Sequence, residues 1–456
     1  MLDNIQNIYF LGIGGIGMSA LAHWTHLRKI NTQGWDDDLD TPTVFALIKS
    51  GIIVHNNNRK AQFFLDVDQL NNNNTIIIYT PAISKDHAIF RYFKLKKFPI
   101  FKRADLLEFV SKNYQVIAIA GTHGKTTISI MLSHILRSSG IGCNAFFGGI
   151  SNNYDSNFLI GDSEIMVIEA DEYDKSFLKL SPTISLISSM DKDHGDVYNS
   201  YDVLLESYRN FINSTKETII AHYDLNNKCN FTYSLSSSAD FFASDQILVG
   251  NQLFFTINFP DNTKIKTYLL FGSDHNVENA VAAASLAFVL GVSPRSIGDA
   301  LMSFKGVKRR FEYHINSKEC VMIDDYAHHP KELRVLIMSL KAHYAKQELF
   351  LIFQPHLFSR TKEFEDQFID VLSLVDKLIL LNIYPAREAP ISGVTSKNLL
   401  DKIRIQDKWH LDIDSNCSPD SRALRSILLK EKPSLLVTAG AGDIYKLIPD
   451  IKSILK

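Results

Sequence analysis

The sequence predicts an α/β protein of three domains. Short apolar runs alternate with amphipathic stretches, at 8–11, 75–79, 116–120, 165–170, 183–188, 349–353, 377–381 and 435–439. Apolar runs that do not alternate with polar residues suit parallel strands covered on both faces. Two glycine-rich loops, near residues 12 and 121, each follow such a run and lead into an amphipathic stretch. They lie too far apart to serve one mononucleotide-binding unit, so each starts its own domain. A third series of strands begins after Lys308-Arg309-Arg310. At roughly 150 residues per domain, 456 residues also make about three. The expected division is 1–110, 111–308 and 309–456.

Composition narrows the class. A 45% hydrophobic and 21% charged chain is ordinary for a globular protein and long enough to bury several cores. The net charge of −2 argues against a broad nucleic-acid surface but not against small anionic ligands held by a few local groups. Cys143, Cys229, Cys320 and Cys417 form no CxxC pair and read as reduced thiols. The start MLDNIQNIYFLGIGG has neither the basic segment nor the cleavage site of a signal peptide. No apolar run approaches the roughly 18 residues of a membrane span. A cytoplasmic protein with no nucleic-acid or membrane partner is expected, as monomer or homodimer.

The first loop, Gly12-Ile13-Gly14-Gly15-Ile16-Gly17-Met18-Ser19, fits GxGxxG at a strand-to-helix turn. Small residues there let backbone approach a diphosphate at a helix N-terminus. Asp36, after the expected second strand, could accept a ribose hydroxyl hydrogen bond. Alone this pattern is weak. It fits an NAD-linked dehydrogenase or a close-packed turn with no ligand, and it does not say which nucleotide would bind.

The second loop, Gly121-Thr122-His123-Gly124-Lys125-Thr126-Thr127, is a phosphate-binding loop. Its backbone N–H groups would cradle phosphates, Lys125 would neutralise β/γ charge and the Thr126 hydroxyl would reach Mg2+. It is shorter than GxxxxGK[ST], because Ile119 stands at the first glycine's place. A dehydrogenase needs no such lysine, and a plain ATPase needs no separate diphosphate site. An enzyme that spends ATP on a nucleotide-linked substrate uses both loops.

At this loop the chain resembles the Mur ligases of peptidoglycan synthesis, and the resemblance extends over nearly the whole chain. The resemblance runs through Glu169-Ala170-Asp171-Glu172-Tyr173-Asp174, Asp193-His194, His275-Asn276 with Asn279, and Arg309-Arg310-Phe311. It continues through Asp324-Asp325-Tyr326-Ala327-His328-His329-Pro330, Gln354-Pro355-His356 with Arg360, and Gly440-Ala441-Gly442-Asp443. It implies a Rossmann-like first domain for the UDP part of the substrate, a central phosphate-loop domain for ATP, and a Rossmann-like third domain for the amino acid. The activity implied is ATP-dependent joining of L-alanine to UDP-N-acetylmuramic acid through an acyl phosphate.

The roles implied by the resemblance suit the residue types. Lys125 would hold the γ-phosphate. Thr126 and Glu169 would ligate Mg2+, which prefers oxygen, and His194 would serve a second metal. His275, Asn276 and Asn279 share a helical face and would meet the adenine nucleotide. Arg309 or Arg310 would reach the ATP phosphates, leaving open that one of the two is plain linker, and Asp325 and Tyr326 would face the ribose or a cleft. His328, His356 and Arg360 would bind the amino acid, His356 also being a candidate base. Thr80, Ser84 and Arg103 would join Gly12, Gly14, Gly15, Gly17, Met18 and Ser19 around the UDP substrate.

Two departures stand out. Many Mur ligases carry a carbamylated lysine downstream of the His194 position, whereas residues 195–211 contain none. Leu357 follows His356 where some alanine-adding relatives have arginine. The competing readings are a ligase that attaches a recycled tripeptide to the same sugar nucleotide, and a nucleotide-binding regulator without activity.

Overall fold

The computed structural model describes residues 4–57, 60–81, 83–191, 198, 200–250, 252–270, 273–386, 388–412 and 421–456. It is an α/β structure with three sheets among these residues. The chain divides into two compact units, Met1–Lys305 and Gly306–Lys456.

The first unit holds two sheets. One comprises β1 (Asn7–Leu11), β2 (Asn31–Trp35), β3 (Ile53–His55), β4 (Thr75–Tyr79) and β5 (Ile100–Lys102), all parallel in the order 3-2-1-4-5. Ile8 to Leu11 are buried on both faces, as a central parallel strand requires. The helix Ile16–Leu27 follows β1, and its Ala20 and Ala22 let it lie close on the core.

The other sheet comprises β6 (Gln115–Ala120), β7 (Asn144–Ser151), β8 (Ser156–Leu159), β9 (Ile165–Glu169), β10 (Ile184–Ile187), β11 (Thr218–His222), β12 (Phe231–Ser234), β13 (Phe241–Val249), β14 (Gln252–Asn258) and β15 (Lys264–Leu269). Its order is 15-14-13-12-11-10-6-9-7-8. The centre is parallel, while β7–β8 and β13–β14–β15 are antiparallel. One hydrophobic cluster runs from Ile8 and Phe10 of the first sheet to Val116, Ala118 and Met166 of the second. That shared core explains why two sheets make one unit.

The second unit comprises β16 (Glu312–Asn316), β17 (Val321–Asp325), β18 (Leu349–Phe353), β19 (Lys377–Leu381), β20 (Asp407–Leu411) and β21 (Leu435–Ala439), in the order 16-17-21-18-19-20. Only the edge pair β16–β17 is antiparallel among its described strands. Each apolar run noted in the sequence lies on a strand of these sheets. Among the described residues no helix is long and apolar enough to cross a membrane.

Candidate active site

Register sets the phosphate loop. β6 pairs with β9 so that Ile119 lies opposite Glu169, and with β10 so that Ala120 lies opposite Ile187. The carboxyl ends of three parallel strands therefore meet where an open α/β sheet binds ligands. Gly121 (φ +130°) and Gly124 (φ +83°) turn the chain into the helix Lys125–Ser138. A side chain at Gly121 would strike Ser188, and one at Gly124 would lie 2.6 Å from Asn279 Oδ1. The next strand's end closes the loop from beneath: His123 N donates to Ser189 Oγ (2.9 Å) and Thr122 Oγ1 to the Asp191 carbonyl (3.2 Å).

Lys125, Thr126 and Glu169 lie together at this end of the sheet. Thr126 Oγ1 donates to Glu169 Oε1 (2.9 Å) and Gly148 N to Glu169 Oε2 (2.7 Å). Burial raises the Glu169 pKa, against the pull of Lys125 and these two donors. An oxygen-only pair of this kind fits a hard divalent cation. Lys125 Nζ donates to Gly121 O (2.6 Å) and to both oxygens of Glu172 (3.1 and 2.8 Å). Burial would lower the Lys125 pKa, but Glu172, Asp171 and Glu169 outweigh it and hold it above the ordinary value. Asn279 reaches the loop from the helix Asp274–Val289, with Asn276 half-buried and His275 exposed at its start. His194 lies outside the described residues.

The first loop gathers most of its predicted partners. Gly12 has φ +78°, and a side chain there would meet the Thr80 methyl group. One at Gly17 would lie 2.6 Å from Arg103 Nη1. Asp36 is engaged with backbone: its Oδ2 accepts from Gly14 N (2.7 Å) and its Oδ1 from Asp38 N (3.2 Å). It braces the loop itself, and burial raises its pKa. Ser84 Oγ accepts from Asp86 N (3.1 Å), which shapes the segment after β4.

In the second unit the paired arginines separate. Arg309 Nε donates to the fully buried Asp324 (3.0 Å), and its Nη atoms donate to Gly440 O and Gly442 O. Its guanidinium lies 5.2 Å from the ring centres of Tyr326 and Tyr445. These contacts hold Arg309 at φ +60° and commit it to the fold. Arg310 is exposed, with its guanidinium over Tyr326 at 5.3 Å. Asp325 accepts from Phe311 N (2.7 Å) and Ala327 N (2.8 Å), and burial pushes its pKa up to about 6.

Past β18 the predicted amino-acid residues cluster. His356 stacks on Tyr384 (centroids 5.5 Å, 19°), and His328 lies 5.8 Å from it. Arg360 Nη1 lies 3.3 Å from His356 Nδ1. A guanidinium only donates, so Nδ1 accepts and the neutral ring carries its proton on Nε2. Burial, with His328 and Arg360 beside it, pushes the His356 pKa down to about 4. With its free lone pair already taken by Arg360, His356 presents an N–H donor, which does not suit the base role considered from sequence. His328 Nδ1 lies 3.0 Å from Tyr326 O, and burial lowers its pKa too. Gln354 ties Gly440-Ala441-Gly442-Asp443 beneath this cluster through Asp443 Oδ1 (2.7 Å) and Ile444 N (3.0 Å).

Comparison with known proteins finds likeness along nearly the whole chain. Residues 7–115 match the domain described as Mur ligase family, catalytic domain, residues 119–287 the Mur ligase middle domain, and residues 309–442 the Mur ligase, glutamate ligase domain. A UDP-N-acetylmuramate–L-alanine ligase of Porphyromonas gingivalis is 40% identical over 468 residues, covering 99% of each chain. The chain belongs to the Mur ligase family. A UDP-N-acetylmuramate–L-alanine ligase of Flavobacterium psychrophilum is 38% identical over 99% of this Mur ligase and 98% of its own length. A solved UDP-N-acetylmuramate–alanine ligase of Thermotoga maritima superposes with TM-score 0.82 at 23% identity, over 98% of each chain. A murein peptide ligase of Psychrobacter arcticus superposes with TM-score 0.69 at 21% identity, over 99% of this chain and 98% of that one. At those identities the structural likenesses establish the fold.

Two residues of this Mur ligase escaped the sequence reading. Glu172 lies within the Glu169-Ala170-Asp171-Glu172-Tyr173-Asp174 segment, but only the structure shows it to be the buried counter-ion of Lys125. Gly148 leaves room for the Glu169 carboxylate, since a Cβ there would lie 2.5 Å from both its oxygens and displace it.

Proposed function

We propose that this Mur ligase joins L-alanine to the lactyl carboxylate of UDP-N-acetylmuramic acid in the cytoplasm, with ATP converted to ADP and phosphate. The grouping of Lys125, Thr126 and Glu169 at one end of β6 and β9 carries this reading, since an acid–amine ligase must first activate its acid. The γ-phosphoryl group passes from ATP to the carboxylate, giving an acyl phosphate and ADP. The amine of alanine attacks the acyl carbon and loses a proton, and phosphate leaves the tetrahedral adduct. Such transfer is mainly positioning and charge neutralisation. Lys125 supplies fixed positive charge, and Arg310 is the arginine of the pair presented to solvent. Thr126 and Glu169 are the residues that would hold Mg2+, which when bound neutralises phosphate charge.

Arg360 supplies a cation for the amino-acid carboxylate, and the Nε2–H of His356 supplies a donor beside it. Leu357 leaves the pocket without a second arginine at that position. Arg360→Ala is therefore expected to raise the KM for alanine about tenfold or more and leave that for ATP within twofold. Steady-state kinetics with each substrate varied in turn checks this, and an unchanged alanine KM would remove Arg360 from the pocket.

The deciding experiment is phosphate release from ATP and Mg2+ with UDP-N-acetylmuramic acid, adding L-alanine, L-serine, glycine or the L-Ala-γ-D-Glu-diaminopimelate tripeptide singly. Turnover with L-alanine, with the matching product mass, supports the proposal. Turnover with the tripeptide alone would make this a recycling ligase, and silence with every acceptor would leave a nucleotide-binding regulator.

A further inference from the structure

The β7–β8 hairpin belongs to the phosphate-loop sheet, yet its side chains reach the other sheet's glycine loop. Asn157 on β8 is 6% exposed. Its Nδ2 donates to the Ile16 carbonyl (2.5 Å) and to Ser19 Oγ (2.9 Å). Ser19 Oγ in turn donates to the Ile16 carbonyl (3.0 Å), which closes a small buried network in the first turn of the helix Ile16–Leu27. Beside it Phe158 stacks on His23 (4.7 Å, 19°). Across the same hairpin, Gly148 N holds Glu169, and Asn152 and Asn153 hold Lys305 O and Ser303 O at the end of the unit.

We infer that Asn157 is a positioning residue for the sugar nucleotide: from the ATP-binding domain it fixes the helix turn on which the substrate's diphosphate rests. This rests on the reading of the first glycine loop as the UDP site. A helix N-terminus binds an anion well only when its backbone is already aimed. Both Nδ2 hydrogens of Asn157 are spent on the turn that carries Gly17, Met18 and Ser19. A contact whose only task was to join the two sheets would need no polar grip there, because the His23–Phe158 stack and the shared core already join them.

The test compares four variants by calorimetric titration with UDP-N-acetylmuramic acid, steady-state kinetics and Tm. Asn157→Ala is expected to weaken sugar-nucleotide binding about tenfold, the scale of one or two lost buried hydrogen bonds, with the ATP KM within twofold. Asn157→Asp keeps the shape but places an oxygen against the Ile16 carbonyl, so it is expected to weaken binding further. Phe158→Leu, which removes the stack but leaves the turn alone, is expected to lower Tm with sugar-nucleotide affinity retained. Gly17→Ala tests the underlying reading, because its side chain would push the Arg103 guanidinium, itself assigned to the UDP site, out of its place beside the loop. If Gly17→Ala weakens binding and both Asn157 variants leave it unchanged, the inference fails while the loop remains the UDP site. Equal rises in both KM values for Asn157→Ala and Phe158→Leu would reduce Asn157 to a domain contact and overturn the proposal. If Gly17→Ala leaves affinity unchanged, the loop reading falls and the inference with it.

Discussion

Lys125→Ala is expected to lower turnover by roughly a thousandfold or more, the scale of losing a preorganised charge at a transferring group, with affinity for UDP-N-acetylmuramic acid within twofold of the parent. The lysine lies on the phosphate loop, and none of its hydrogen bonds involves the first glycine loop. Its partner complicates the variant. Lys125 and Glu172 are 12% and 2% exposed, and breaking a buried pair from one side costs roughly 3–5 kcal/mol, because the remaining charge stays buried. Lys125→Ala should therefore melt well below the parent. Lys125→Ala combined with Glu172→Gln removes that stranded charge, so it is expected to recover much of the Tm and none of the activity. Differential scanning calorimetry beside the phosphate-release assay separates the two effects. Activity recovered together with stability would make Lys125 a folding residue and sink the catalytic assignment.

The split between what was legible and what was not follows sequence distance. The parallel strands could be read because burial on both faces writes an unbroken apolar run, as in Leu349-Phe350-Leu351-Ile352-Phe353. The hairpin β7–β8 and the meander β13–β15 carried weaker marks, since edge and antiparallel strands mix exposed with buried positions; Gln252–Asn258 is one case. The phosphate loop could be read because its chemistry lies within a few consecutive residues. Gly148 could not, because its constraint is a carboxylate 21 residues later in the chain. Asn157 reaches Ile16 across 141 residues, and only the folded chain pairs them. Arg309 and Arg310 were indistinguishable as neighbours in sequence. They separate only when Asp324 and the Gly440 and Gly442 carbonyls capture one of them.

Glu169→Gln is the complementary case, with activity and stability expected to move in opposite directions. The substitution keeps the shape, so one amide oxygen can still accept from Gly148 N, but it removes the charge that would face a cation. Turnover at saturating ATP is expected to fall about a hundredfold or more, and the Mg2+ concentration for half-maximal rate to rise at least tenfold. Stability should behave otherwise. Burial raises the carboxyl's folded-state pKa above its unfolded value, so the folded state binds the proton more tightly than the unfolded chain does. The ionised group is then a cost that appears as pH rises from the unfolded towards the folded pKa, and is relieved as pH falls back. A neutral glutamine carries no such cost. Its Tm at pH 8 is expected to equal or exceed the parent's, and the gap should narrow as pH falls through that window. Lys125 would lose one of its surrounding carboxylates, but Glu172 keeps both oxygens on it. A charged group that weakens the fold where it is needed for chemistry is characteristic of a catalytic position. A variant that melts lower and still turns over at half the parental rate would instead mark Glu169 as structural.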